Sequence, residues 1–154
     1  MEKQDLIKNI VEGYHSKGDH IYLGAAIFEG EVLPEAAIKI PLKTMNRHGL
    51  IAGATGTGKS KTLQILAENL SQQGVPVLLM DVKGDLSGLA KPSAGGAFIE
   101  ERYQKLQFKF EPAASPVEIL SLSEQGGIRL RATVSEFGPV LLSRILDLSS
   151  AQTG

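Results

Sequence analysis

Gly53-Ala-Thr-Gly-Thr-Gly-Lys-Ser60 is the stretch of this sequence that decides the fold. It matches Gly-x-x-x-x-Gly-Lys-Ser, the pattern of a loop that surrounds the phosphates of ATP or GTP. Glycines allow the backbone to curl so that successive N–H groups point at phosphate oxygens, in conformations that a side chain would forbid. Lys59 adds a positive charge for the β- and γ-phosphates, and the Ser60 hydroxyl is a ligand for Mg²⁺. We therefore predict that Lys59 is catalytic and that a nucleotide is bound by Gly53, Ala54, Thr55, Gly56, Thr57, Gly58, Lys59, Ser60 and Lys61.

The residues around this phosphate loop (residues 53–60) follow the order that the motif requires, a strand before the loop and a helix after it. Residues 48–52 form a short apolar run that predicts the strand. Residues 61–73 predict the helix, because leucine and alanine side chains recur at the i, i+3, i+4 and i+7 positions of one face. A glycine-rich turn with a surface lysine is the alternative, and it does not account for this order of elements.

Composition bounds the class of protein. The chain has 154 residues, which predicts one domain with a sizeable core. Its 42% hydrophobic and 21% charged residues are typical of a soluble globular protein, and its net charge of −1 gives no overall basic field for nucleic acid. The absence of cysteine excludes disulfides and thiolate metal sites. Because the sequence contains neither a signal peptide nor an apolar run of membrane-spanning length, we expect a cytoplasmic protein without a membrane partner.

The remaining patterns predict two parts, an N-terminal element at residues 1–44 and a phosphate-loop domain at 45–154. Within the first part, residues 3–17 have one apolar helical face, and residues 21–28 and 36–42 have the composition of two strands. The N-terminal element is therefore expected to be a helix followed by a β-hairpin.

Residues 75–81 form a continuous apolar run that ends in an acid. An unbroken run is typical of a strand covered on both faces, as in a parallel sheet. Strand 48–52, helix 61–73 and strand 75–81 then make a βαβ unit, which predicts an α/β fold with helices on both faces of a parallel sheet. Beyond it we predict helices at 97–106 and 138–148 and strands at 117–122 and 128–134.

Asp81 is the first candidate for a carboxylate that helps to hold Mg²⁺. Ligands of doubly wound sheets bind at the carboxyl ends of the strands, which is where Asp81 is predicted to lie. Metal ligands are therefore predicted at Ser60 and Asp81. A structural role for Asp81, in which it only caps the following turn, stays open. So does the role of Asp85, which either joins Asp81 in binding a metal through water or belongs to a self-satisfied turn.

Three segments carry a resemblance to a known family. They are Asn46-Arg-His-Gly-Leu-Ile-Ala-Gly-Ala-Thr-Gly-Thr-Gly-Lys-Ser60, Val77-Leu-Leu-Met-Asp-Val-Lys-Gly-Asp-Leu-Ser-Gly-Leu-Ala90 and Arg131-Ala-Thr-Val-Ser-Glu-Phe-Gly-Pro-Val-Leu-Leu-Ser-Arg-Ile-Leu-Asp-Leu148. Together they closely resemble the HerA-like helicase-domain proteins of the HerA–FtsK superfamily of P-loop ATPases. The resemblance covers nearly the whole chain.

This resemblance implies a RecA-like core that uses ATP and Mg²⁺, a hexameric ring, and movement or remodelling of DNA. Lys59 and Ser60 match the phosphate lysine and the Mg²⁺-binding hydroxyl. Asp81 belongs to an Asp-x-Lys-Gly pattern on the strand after the loop helix. In the superfamily, the Mg²⁺-organising acid and the catalytic glutamate come later, on a strand that ends in Asp-Glu.

The chain departs from the family pattern in this respect. It contains no Asp-Glu pair, it stops at Gln152-Thr-Gly154, and the resembling proteins are several times longer. We therefore expect an N-terminal portion of the family pattern, an incomplete RecA-like core truncated before its catalytic acid. The catalytic glutamate and the trans-acting arginine are not assigned, and whether these residues alone hydrolyse ATP stays open.

The leading hypothesis is an ATP-binding module of a DNA-translocating, helicase-type ATPase. A small P-loop phosphotransferase that uses Asp81 directly is one alternative. The other is a non-catalytic module whose interactions depend on bound nucleotide.

Overall fold

The computed structural model describes residues 2–122, 124, 126–149 and 152. Thr153 and Gly154, at which the expected truncation falls, lie outside the described residues. The chain divides into two units, Met1–Val117 and Glu118–Gly154. The first unit contains both the predicted N-terminal element and the phosphate loop, and the boundary at 44/45 stays a prediction.

Ten elements are assigned along the described chain. The first unit contains α1 (Lys3–Gly13), β1 (His20–Phe28), β2 (Glu31–Pro41), a 3₁₀ turn (Leu42–Thr44), α2 (Lys59–Gln72), a second 3₁₀ turn (Ser87–Ala90) and α3 (Ala97–Lys105). The second unit contains β3 (Leu120–Ser121), β4 (Ile128–Arg129) and α4 (Val134–Ile145). In the described part of the chain, no helix is both long enough and apolar enough to cross a membrane.

The predicted hairpin is present, with a tighter turn than the sequence suggested. β1 and β2 pair antiparallel, and Phe28 lies opposite Glu31 across a two-residue turn. Both turn residues have positive φ, 49° at Glu29 and 83° at Gly30. This conformation matches the right-handed twist of the flanking strands, so β2 begins five residues earlier than predicted.

The core of the first unit lies where two helices pack on this hairpin. α1 packs against β2, and α2, the helix that follows the phosphate loop, packs against β1. Ile21 and Leu33 of the hairpin are almost fully buried, and Ala67 is the buried apolar residue of α2. The hairpin therefore supplies the surface against which α2 packs, and α2 begins within the phosphate loop.

The two strands predicted on either side of α2 are not strands in the structure. Residues 48–52 and 75–80 have no assigned sheet pairing, and Leu50 and Met80 are 89% and 86% exposed. A strand of a parallel sheet is stable only when neighbours supply its ladder hydrogen bonds and cover both its faces. No such neighbours flank these segments among the described residues, so their apolar character does not by itself produce a sheet.

In the second unit, β3 and β4 pair parallel over two residues each, much less than the predicted strands at 117–122 and 128–134. α4 begins four residues before the predicted start, because Thr133 and Glu136 form a reciprocal N-terminal cap. Gly138, with φ 66°, interrupts the helix, and Pro139 opens its second part. The predicted helix start at 138 therefore corresponds to this interruption.

Replacement of Leu33 by alanine tests the hairpin core. Leu33 is 1% exposed, so Leu33→Ala leaves a cavity under the helices and should lower the free energy of unfolding by about 2–5 kcal/mol. Denaturant unfolding followed by circular dichroism measures this. Ile27→Ala is the matched control on the same hairpin, because Ile27 is 65% exposed, and its cost should be about 1 kcal/mol or less. Equal losses for the two variants would contradict the assigned core.

The cap of α4 predicts a pH dependence. The pKa of Glu136 is held below its ordinary value because its carboxylate accepts a hydrogen bond from the backbone N–H of Thr133 at 2.7 Å and another from the hydroxyl at 2.9 Å. A lowered folded-state pKa stabilises the cap above the ordinary glutamate pKa, and this contribution is lost as the pH falls through the lowered value.

Thr133→Ala removes the hydroxyl but keeps the backbone N–H, so the pKa of Glu136 should rise only part of the way to its ordinary value, and amide protection in the first turn of α4 should fall. NMR titration of the carboxyl group and hydrogen exchange measure both effects. Thr133→Ser retains the hydroxyl and should retain both properties. An unchanged pKa in Thr133→Ala would show that the cap does not form in solution.

Candidate functional site

The backbone of the phosphate loop depends on its glycines. Gly56 and Gly58 have φ of 81° and 90°, in the left-handed region that side chains disfavour, and Gly58 is the N-cap residue of α2. Gly53 is constrained for a different reason, since a Cβ atom there would lie 2.6 Å from the Thr57 Oγ1 atom. The two glycines of the motif, Gly53 and Gly58, and Gly56 between them are therefore all required by the conformation that the loop adopts.

This conformation leaves N–H groups for an anion. Among the described residues, the N–H groups of Gly56 and Gly58 donate no hydrogen bond within the protein. α2 begins at Lys59 without a side-chain cap and without an acid in its first turn. The first N–H groups of a helix lack intrahelical partners and carry the positive end of the helix dipole. The loop and the start of α2 therefore form an exposed site that favours negative charge, such as phosphate.

The carbonyl oxygen of Ala54 holds the loop side chains in place. It accepts a hydrogen bond from the Lys59 Nζ atom at 2.7 Å and another from the Thr57 Oγ1 atom at 2.8 Å. The lysine ammonium is thus held against the backbone of the loop. An ammonium held beside unpaired N–H groups strengthens the site for a phosphate.

The side chain of Lys61 has a different partner. Its Nζ atom donates to the Gln64 Oε1 atom at 2.8 Å. Lys61 was predicted to bind nucleotide, and its side chain lies on the helix, so the backbone N–H in the first turn of α2 is the group that it offers to a phosphate. Thr55 is exposed in the loop.

Asp81 caps a turn. Its carboxylate accepts hydrogen bonds from the backbone N–H groups of Gly84 at 2.7 Å, Asp85 at 3.2 Å and Leu86 at 3.0 Å. The N–H of Leu86 is the largest of the causes that hold the pKa of Asp81 below its ordinary value, followed among the hydrogen bonds by that of Gly84. The carboxylate is therefore ionised, and it organises the acidic turn (residues 81–86).

Asp85 is the acid that reaches the phosphate loop. The Ser60 Oγ atom donates to the Asp85 Oδ2 atom at 2.8 Å, across 25 positions of sequence. The Gln64 Nε2 atom donates to the Asp85 carbonyl oxygen, also at 2.8 Å. Of the two acids that the sequence left open, the structure brings Asp85 to the predicted metal ligand Ser60, whereas the oxygens of Asp81 are engaged within the turn.

Gln64 is a site residue that the sequence interpretation missed. It is only 7% exposed, and both ends of its amide are engaged, one by Lys61 and the other by Asp85. A signal for it was present, because Ser60 and Gln64 are four residues apart and so lie on the same face of α2. A polar side chain on the buried side of a helix generally has a hydrogen-bonding partner.

The oxygen atoms at the loop fit Mg²⁺. No group of three or more acidic, histidine or cysteine side chains capable of holding a metal occurs in the described part of the chain. Mg²⁺ does not need such a group, since it commonly takes one or two protein oxygens and completes its shell with phosphate oxygens and water. The Ser60 hydroxyl and the Asp85 carboxylate are hard oxygen donors of this kind.

Comparison with known proteins places the chain in a family. The family model for the helicase HerA-like C-terminal region matches residues 28–154. A DNA double-strand break repair helicase HerA from Sulfolobus acidocaldarius is 33% identical over 82 residues, which are 53% of this chain and 16% of that protein. The protein of the same name from Saccharolobus solfataricus is 29% identical over 75 residues, 49% of this chain and 14% of that protein. No solved structure was found to match.

The chain thus aligns with less than a fifth of the length of these relatives. The matching family model describes a C-terminal region, and this corrects the expectation of an N-terminal portion of the family pattern. The resemblance itself is confirmed, because the match covers more than half of the chain and includes the phosphate loop, α2 and the acidic turn. The chain belongs to the HerA-like helicase family.

Proposed function

We propose that this chain is the ATP- and Mg²⁺-binding part of a HerA-like, DNA-translocating ATPase. The observation that carries the proposal is the geometry at the start of α2, where a left-handed Gly58 leads directly into Lys59 and Ser60. Unpaired N–H groups, a fixed ammonium and an oxygen pair for a metal occur together there, which is the combination that a nucleoside triphosphate requires. The enclosing fold that we propose is a RecA-like α/β core.

ATP is the proposed nucleotide because the sequence lacks the Asn-Lys-x-Asp pattern by which GTP-binding proteins recognise guanine. DNA is the proposed partner of the whole protein. Both relatives are named as helicases of DNA double-strand break repair, and the chain shares their family. A hexameric ring and a cytoplasmic location are proposed on the same family grounds.

We propose that this chain binds ATP and that its residues alone hydrolyse it poorly. Phosphoryl transfer requires a group that orients the attacking water in addition to the phosphate loop and the metal. The family supplies a glutamate after a later strand, and these 154 residues contain no Asp-Glu pair. The phosphotransferase alternative requires a free Asp81 carboxylate, and three backbone N–H groups already occupy it. For this reason the phosphotransferase ranks behind the helicase-type ATPase, as the second candidate. The non-catalytic module is the third.

Lys59→Ala tests the proposal directly. Removing an ammonium that pairs with phosphate should cost about 1.5–3 kcal/mol, which is about a 10- to 150-fold loss of ATP affinity. Isothermal titration calorimetry with ATP and with GTP measures the loss and the preference between the nucleotides. Lys105→Ala is the control, because Lys105 lies on α3 and pairs with Glu101 at the surface. ATP affinity that is the same in wild type and Lys59→Ala would refute the proposal.

A second variant tests the shape of the loop independently of charge. Gly53→Ala places a methyl group against the Thr57 Oγ1 atom, so the loop must distort and ATP affinity should fall about tenfold or more. Thr57→Ala removes the clashing atom, and the double variant Gly53→Ala/Thr57→Ala should bind ATP more tightly than Gly53→Ala alone. Calorimetry on the four proteins forms a double-mutant cycle. Strict additivity would show that the two positions do not meet in the binding conformation.

A further inference from the structure

We propose that Asp85 is an additional carboxylate that helps to position Mg²⁺ at Ser60, beside the acid that the superfamily carries on a later strand, and that Gln64 and Asp81 are positioning residues that hold Asp85 there. This inference rests on the proposed function, because the metal arrives with the nucleotide. It assigns a part in the positioning of Mg²⁺ to Asp85, the second acid of the Asp-x-Lys-Gly-Asp segment. Asp81, the first acid, has a structural role.

The hydrogen bond between Ser60 and Asp85 determines how the serine hydroxyl is oriented. A hydroxyl has one proton and two lone pairs, and here the proton is donated to the Asp85 Oδ2 atom at 2.8 Å. The lone pairs are therefore directed away from the carboxylate and stay available to a cation. The other oxygen of the carboxylate is available for a metal-bound water, since Mg²⁺ usually retains several waters. Asp85 thus acts on the metal both through Ser60 and through water.

The main chain of Asp85 is fixed from both sides. Its N–H donates to the Asp81 carboxylate at 3.2 Å, and its carbonyl oxygen accepts from the Gln64 amide at 2.8 Å. Gln64 is buried, and its own carbonyl oxygen is held by Lys61, so the amide cannot rotate without losing both bonds. The position of the Asp85 carboxylate is therefore set by α2, the helix that also carries Ser60.

This arrangement also explains why Asp81 is the less suitable ligand. Its two oxygens accept three backbone hydrogen bonds, and a metal ion would have to displace them. Losing them would release the turn that presents Asp85. The two acids of the acidic turn therefore have separate tasks, one structural and one directed at the metal.

The experiment compares ATP affinity in Mg²⁺ with ATP affinity in EDTA, by calorimetry on the purified chain. In wild type, Mg²⁺ should strengthen ATP binding. In Asp85→Asn the affinity in EDTA should be retained and the strengthening by Mg²⁺ should fall about tenfold, because the amide is isosteric and lacks the charge. Asp19→Asn makes the same change of charge at an exposed site in front of β1 and should behave as wild type.

Gln64→Leu tests the positioning role. It places an apolar side chain of similar size in the buried site and removes both the bond to the Asp85 carbonyl oxygen and the acceptor of Lys61. The strengthening by Mg²⁺ should fall by a smaller factor than in Asp85→Asn, with the affinity in EDTA retained. A purely structural defect would weaken ATP binding equally in both conditions.

A measurement on wild type keeps the test independent of any variant that fails to fold. Mn²⁺ added with ADP broadens NMR signals close to the metal, and the amide signals of Ser60 and Asp85 should both broaden. Two results would overturn the role of Asp85 if ATP binding still depends on Lys59. One is broadening of the Ser60 signal without broadening of the Asp85 signal, and the other is an unchanged strengthening of ATP binding by Mg²⁺ in Asp85→Asn. Absence of binding that depends on Lys59 would instead overturn the proposed function, and the inference with it.

Discussion

The buried amide of Gln64 is the interaction on which the geometry of the site depends. Through its Nε2 atom it ties the acidic turn to α2, and through its oxygen it fixes Lys61 at the start of the same helix. Together with the bond from Ser60 to Asp85, this link fixes a turn that follows an exposed segment without sheet pairing in the described chain. A single helix therefore carries Lys59 and Ser60, the residues proposed to meet phosphate and Mg²⁺, and Gln64, which holds the nearby Asp85.

The phosphate loop and the acidic turn are held by different kinds of contact. The loop is held by local bonds, since the carbonyl oxygen of Ala54 accepts from side chains three and five residues away. The turn is held internally by Asp81 and externally by α2. The phosphate loop and the acidic turn can therefore form although the flanking segments 48–52 and 75–80 are not paired in a sheet.

Much of the local structure was predictable, and the reason is physical. α2 forms because its apolar residues recur at helical spacing, and Gly58, one of the two loop glycines with positive φ, is a fixed position of the motif itself. The composition of residues 21–28 and 36–42 predicted the two strands of the hairpin. Only the positive φ angles of Glu29 and Gly30 showed how tight its turn is. The start of α4 was also predicted inexactly. The capping pattern from Thr133 to Glu136 is present in the sequence, but the start was predicted at Gly138, where the helix is interrupted.

The sequence by itself determined the phosphate loop, the helix after it and the family, because each of these depends on residues that are close together in the chain. The tertiary structure decided which acid meets Ser60, since that contact spans 25 positions and depends on the folding of the acidic turn onto α2. It also decided the role of Gln64, whose partner is 21 residues away. An apolar run indicates that a segment can be buried, but only neighbouring strands can bury it, and for residues 48–52 and 75–80 the described structure supplies none.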